Sequence, residues 1–316
     1  MSRRLRRAPP KGIRVLGRAL RRATQKAAEA DRALPRGDPM AARKERPHDR
    51  RMAVVTAVWD QSAKVRTAAQ IVDNLRPEGQ RRLPTAESRM PPPSSKRVWA
   101  TLANGMNEAV RTMFDEAERR DPAHARPWVV LLDGADAQRE AITTEAARRG
   151  VKVTIVMDLL HVLHYLWKAA TALHPTSEHK AEAWVRRYVE KLLTRPMIDV
   201  VAGIRQSATL NKLTDERRAA VDRSARYLSE RSQWMDYGAA LAAGWPIATG
   251  VIEGACRHLI QDRMGITGAC WDLTTAEAIL RLRALNVSGH WDAYLAFHAQ
   301  REAVRNHRLP ELLRAA

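Results

Sequence analysis

Cysteine is nearly missing from this chain: Cys256 and Cys270 are the only two in 316 residues, and neither belongs to a Cys-x-x-Cys pair. Two thiols cannot build the disulfide framework of a small secreted domain, so a reducing cytoplasm is the expected compartment. Long apolar runs are missing as well. None approaches the ~18 residues of a membrane span. The Arg-, Ala- and Pro-rich start holds no apolar signal-peptide core, and Arg3-Arg4 and Arg6-Arg7 lack the apolar segment of a twin-Arg signal. Acidic residues are scarce at that end. Residues 1–51 hold 17 Lys/Arg against 5 Asp/Glu and so carry +12 of the net +19. Such a segment fits an organellar transit peptide or, better, a basic arm that binds nucleic acid. The whole-chain pI near 10.8 points to a polyanionic partner. Arg-rich composition throughout a proteome would raise the pI in the same way with no partner involved.

What is present is a globular pattern, 45% apolar. Trp128–Leu132 and Val151–Met157 are short, rich in β-branched residues and bounded by turn signals, as buried strands are. Between them Ala137–Arg149 has helix-forming composition and stops at Gly150, a natural C′ residue. Strand, helix, strand at this length is a βαβ unit with parallel strands. The carboxyl ends of both strands then share one sheet edge, where open α/β sheets place their sites, and Asp133 and Asp158 fall on it. Two carboxylates on one rim suit a hard cation such as Mg²⁺.

Upstream, Met52–Trp59 is expected to be a strand ending near Asp60, and Arg76–Arg97, with Pro77, Pro84 and Pro91-Pro92-Pro93, a loop or linker. Met106, Ala109, Val110, Met113, Phe114 and Ala117 make an amphipathic stripe. After Asp158 the texture is helical for roughly ninety residues, broken at Gly244–Gly250, with further helices over Val251–Met264 and Thr274–Leu285. The expected divisions are a basic, poorly ordered arm or core remnant (1–50), a first core part (51–159), an all-helical insertion (160–247), and a late core helix with C-terminal helices (248–316).

Each candidate acid also has a purely structural role open to it. Asp133-Gly134 is a common turn. Asp158 stands where a helix N-cap belongs, ahead of Leu159–Ala170. Glu253 could complement a helix dipole or pair with Arg257. His161 and His164 follow Asp158 at helical spacing, which hints at a metal site but is commoner for positioning histidines. Trp167, Trp184, Trp234 and Trp271 are expected in the core rather than as base-stacking platforms.

Three stretches carry a family resemblance: Leu131–Asp136 (LLDGAD), Met157–Ala170 (MDLLHVLHYLWKAA) and Gly244–Trp271 (GWPIATGVIEGACRHLIQDRMGITGACW). Together they resemble the DDE transposases of bacterial insertion sequences, most closely the ISKra type, relatives of the Mutator-like elements. The resemblance runs from about Lys11 to about Arg301. It implies an α/β fold with an RNase H-like mixed-sheet core and a large all-α insertion before the last catalytic helix. It also implies Asp133 as the second acid of the triad and Glu253 as the third, both binding Mg²⁺ or Mn²⁺, with Asp158 and His161 as an accessory pair. The activity implied is two-metal cleavage and transfer of DNA strands at transposon ends and in target DNA. Arg257, Arg263 and the basic arm would contact phosphates. The protein would be bacterial and nucleoid-associated, without membrane attachment, and a homo-oligomer on DNA.

One departure matters. The family carries its first catalytic Asp in an Asp-Gly-Lys-Gly-Ile-like strand; here Pro9-Pro10-Lys11-Gly12-Ile13 puts Pro9 in that place. The region that precedes this strand in the family is absent too. The resemblance therefore implies an N-terminally truncated or decayed, catalytically impaired copy. The alternatives are a non-catalytic DNA-binding remnant of a transposase, and a structural helical protein whose acids serve only as caps and turns.

Overall fold

The computed structural model describes residues 52–76, 80–82, 89–265 and 271–314. The basic arm, the Pro9–Ile13 stretch and Cys270 therefore lie outside the described residues.

Strand β1 (Val54–Asp60) pairs antiparallel with β2 (Ser94–Thr101), in register Val54↔Thr101 to Val58↔Arg97, with a bulge before Asp60↔Ser94. The linker expected over Arg76–Arg97 is thus shorter than its composition suggested. Pro91–Pro93 lead directly into β2, where Ser94 and Ser95 are exposed and only Val98, Ala100 and Thr101 turn inward. A short helix, α1 (Ala68–Asn74), lies between the strands, opened by a capping box of Thr67 and Gln70.

The βαβ unit forms as the pattern predicts. β3 (Trp128–Leu132) and β4 (Val153–Met157) are parallel, with Leu132 opposite Met157. The crossover helix α3 (Asp136–Arg149) ends at Gly150, which is left-handed at φ 66°, a conformation that costs glycine little. Helix α2 (Met106–Arg120) packs on α3 and on β1. Its Val110 and Phe114 bury against Leu132, Ala141, Ile142 and Ala146. Among the described residues the four strands form two separate two-stranded ladders.

The expected helical block is present. It comprises α4 (Leu159–Leu173), α5 (Glu178–Thr194), α6 (Met197–Leu210), α7 (Asp215–Glu230) and the short α8 (Tyr237–Ala242). Its interior holds Trp167, Trp184, Tyr188, Leu166 and Val189, with Met157 and Leu159 joining it to the end of β4. Trp167 and Trp184 are core residues, as expected, and Trp234 and Trp271 are half-buried. No helix among the described residues is long and apolar enough to cross a membrane.

Helix α9 begins as Gly250–Ala255, widens into a π-helical stretch over Cys256–Gln261 and ends as Asp262–Met264. Its Ala255 and Leu259, with Leu280 and Ala284 of α10 (Leu273–Val287), cover Val98 and Ala100 of β2. Burying a side chain such as Leu259 stabilises by about 1.5–3 kcal/mol, which anchors the late helix on the early ladder. A final helix, α11 (Trp291–Arg314), follows.

Candidate functional site

The carboxyl ends of β3 and β4 sit side by side, because the Asp158 amide donates to the Leu132 carbonyl at 2.7 Å. Asp133 leaves β3 as an exposed residue. One of its carboxylate oxygens accepts from the Ala135 amide at 3.1 Å, an Asx-type turn that aims the side chain outward. The helical block holds this turn from the other side. The Tyr227 hydroxyl donates to the Asp133 carbonyl at 3.2 Å, and Arg231 donates to the Gly134 carbonyl at 3.1 Å and to Asp136 at 3.2 Å. Burial first, then the neighbouring Tyr165, pushes the Tyr227 hydroxyl far up, so it remains a donor at every working pH.

Asp158 is buried, and both of its carboxylate oxygens are committed. Oδ1 accepts from the Leu160 amide at 2.7 Å, which caps α4, and Oδ2 accepts from the Thr249 amide at 3.1 Å. The Leu159 amide donates to the Ile247 carbonyl at 2.8 Å. Thr249 in turn caps α9 through the Ile252 amide at 3.1 Å. Asp158 thus ties the end of β4 to the start of the helix that bears Glu253. The structural reading of Asp158, a helix cap, holds, and the carboxylate also does a second job that the spacing did not show.

Burial pushes the Asp158 carboxyl up to about 6, against the lowering effect of the amides it accepts from; the charge of Glu253 adds to the rise. A carboxyl whose folded pKa lies above its unfolded value near 4 favours the protonated form when folded. Stability is then greatest below pH 4 and falls as pH rises toward 6, by about 3 kcal/mol for a shift of this size. The unfolding free energy of the wild type minus that of Asp158→Asn should therefore drop by about 3 kcal/mol between pH 3 and pH 7. Parallel pH curves for the two proteins would show that the carboxylate titrates normally.

Glu253, one turn into α9, is exposed. It makes no ion pair or hydrogen bond among the described residues. The Cys256 thiol records where the acids lie. Burial pushes it up first, and the charges of both Asp133 and Glu253 push it further. The thiol therefore lies within electrostatic reach of both carboxylates. His161 is half-buried beneath this edge; burial holds its imidazole below the usual range, and the Asp133 charge opposes that. Its ring lies 5.6 Å from Tyr165 and 6.0 Å from Tyr227. His161 thus packs between aromatic rings as a positioning histidine would. His164 is pushed down to about 4, by burial first and then by Lys168 and His161.

Asp60 does not join these acids. It bonds Arg126 at 2.9 Å and lies 3.7 Å from Arg120, tying the end of β1 to the start of β3. Arg257 is exposed and 3.9 Å from Asp262, and Arg263 lies 5.2 Å over the Trp271 ring. Among the described residues no group of three or more His, Cys, Asp and Glu is arranged to hold a metal ion. The donor set offers Glu253 and the second carboxylate oxygen of Asp133, while both oxygens of Asp158 are occupied by backbone amides.

The pattern of the sequence gave no hint of Tyr227 and Arg231. They stand at i and i+4 on α7 or just beyond it, but no local signal links them to a turn 94 residues upstream. The chain matches no protein-family model, no curated protein and no solved structure.

Proposed function

We propose that the edge formed by Asp133, Asp158 and Glu253 is the remnant or working site of an insertion-sequence DDE transposase acting on DNA. The observation that carries this is that two exposed carboxylates, one at the end of a parallel strand and one on a late helix, both lie within electrostatic reach of Cys256. Asp133 and Glu253 would hold Mg²⁺ or Mn²⁺, which when bound lowers the pKa of water and stabilises charge on phosphoryl oxygens. Oxygen-only ligands suit these hard cations. Within the chain, Tyr227 and Arg231 orient the Asp133 turn, and Asp158 with Thr249 sets the start of the Glu253 helix.

An RNase H-like core would join the two ladders into one sheet through a further strand. Helix α2 already bridges β1 and α3, and Arg126 and Asp60 hold β1 and β3 together at one end. By resemblance the joining strand matches the Lys11-Gly12-Ile13 stretch, with Pro9 in the place of the first acid. Pro9 offers no ligand, so this chain is proposed to cleave DNA little or not at all. It also favours a second reading, a DNA-binding transposase relative without catalysis. A nicking assay in Mg²⁺ or Mn²⁺ separates the two: cleavage that depends on Asp133 and Glu253 establishes a working enzyme, and salt-sensitive binding without cleavage establishes the second reading. Assembly of several copies on DNA and association with the nucleoid belong to the same proposal.

A further inference from the structure

Helices α4 and α7 run side by side and build a continuous polar stripe. Along α4 it consists of His161, His164, Tyr165 and Lys168; along α7 it consists of Arg223 and Tyr227, with Arg231 just past the helix end. Tyr165 and Tyr227 stack at 3.6 Å, and the stack is flanked by the Lys168 ammonium 4.9 Å over one ring and the Arg231 guanidinium 4.5 Å over the other. At the far end Lys168 and Arg223 are both exposed and close enough for Arg223 to depress the Lys168 ammonium, after the larger effect of burial. Among the described residues neither makes an ion pair, and α4 carries no Asp or Glu at all. Two adjacent cations left without a carboxylate are an unneutralised site for an anion. At its near end the stripe reaches Asp133 through Tyr227 and Arg231.

We propose that this face is a track for one nucleic-acid strand, with a backbone phosphate held between Lys168 and Arg223. Lys168 lies seven residues beyond His161, about 10 Å along the helix axis at 1.5 Å per residue, so the phosphate contact is remote from the acids. A chain of net charge +19 favours a polyphosphate over a lone anion. The uncharged imidazole of His164 and the half-buried ring of Tyr165, which lie between the two ends, suit bases and sugars better than further charge. The placement of the strand toward Asp133 rests on the transposase reading; the phosphate contact itself does not.

The test is anisotropy of a fluorescein-labelled, mixed-sequence single-stranded DNA with the full chain in EDTA, titrated over a range of KCl. The Lys168→Ala/Arg223→Ala variant should bind about tenfold more weakly, with a log–log salt slope shallower by about 0.7, the contribution of one single-strand phosphate contact. Lys180→Ala/Arg187→Ala, which removes two exposed cations from α5, should change affinity by less than about twofold. All four residues are exposed or half-exposed on helix surfaces, and unchanged thermal melting confirms that folding is intact. An unaltered slope in the first variant, or an equal loss in the second, overturns the track. Binding in EDTA needs no metal or catalysis, so a restored Pro9→Asp/Pro10→Gly protein that still fails to nick would count against the transposase reading while leaving this result untouched.

Discussion

Gly134→Ala is expected to cost about 2–4 kcal/mol of stability and to release the turn that carries Asp133. Gly134 has φ +96°, where an L-residue is strained by about 1–2 kcal/mol. A methyl group there would also lie 2.2 Å from the Tyr227 hydroxyl oxygen and 2.9 Å from the Met157 sulfur. Tyr227 is buried and stacked on Tyr165, so it cannot simply swing out. Either the turn moves or the stack does, and both break the hydroxyl bond to the Asp133 carbonyl. Removing the hydroxyl should relieve the worse clash and leave the ring carbon at 3.3 Å. Gly134→Ala/Tyr227→Phe should therefore be more stable than Gly134→Ala alone by about 1 kcal/mol, although Tyr227→Phe by itself destabilises by about 1 kcal/mol through the lost bond. Urea unfolding of the four proteins measures this cycle. Additive losses would mean that the glycine and the tyrosine do not meet.

The second large effect is a gain. The pair of substitutions Pro9→Asp and Pro10→Gly restores the Asp-Gly-Lys-Gly-Ile pattern of the family that the chain resembles. If the first acid is what this chain lacks, the restored protein should nick a supercoiled plasmid carrying the DNA that flanks its own reading frame. The rise over wild type should be on the order of a thousandfold, because a missing metal ligand forfeits several kcal/mol of transition-state stabilisation. Adding Glu253→Gln to the restored protein should return the rate to the wild-type level. A restored protein as inert as wild type would favour the DNA-binding reading over a site missing one ligand.

The sequence made some of this architecture plain and hid the rest for identifiable reasons. The βαβ unit was legible because β-branched runs, turn signals and Gly150 act locally, within a few residues of one another. Strand β2 was hidden because it starts on Pro91-Pro92-Pro93-Ser94-Ser95, which is turn composition, and its exposed half pairs with β1 without burying anything. The helical block was legible from its apolar stripes, and the core it forms is continuous. Asp158 was legible as a cap; its bond to Thr249 spans 91 residues and leaves no mark on local pattern. The same holds for Tyr227 and Arg231. Long-range hydrogen bonds are set by tertiary packing, so the acids themselves could be named from sequence while the groups that aim them could not.

The most direct test of the account is divalent-ion binding, since its central claim is that Asp133 and Glu253 serve one ion. Mn²⁺ affinity should be measured by electron paramagnetic resonance for wild type, Asp133→Asn, Glu253→Gln and the double variant. The account predicts that each single substitution weakens binding about tenfold or more and that the double variant is no weaker than either, as expected for ligands that act as a unit. Independent effects that simply add, or an affinity that survives loss of Glu253, would contradict it.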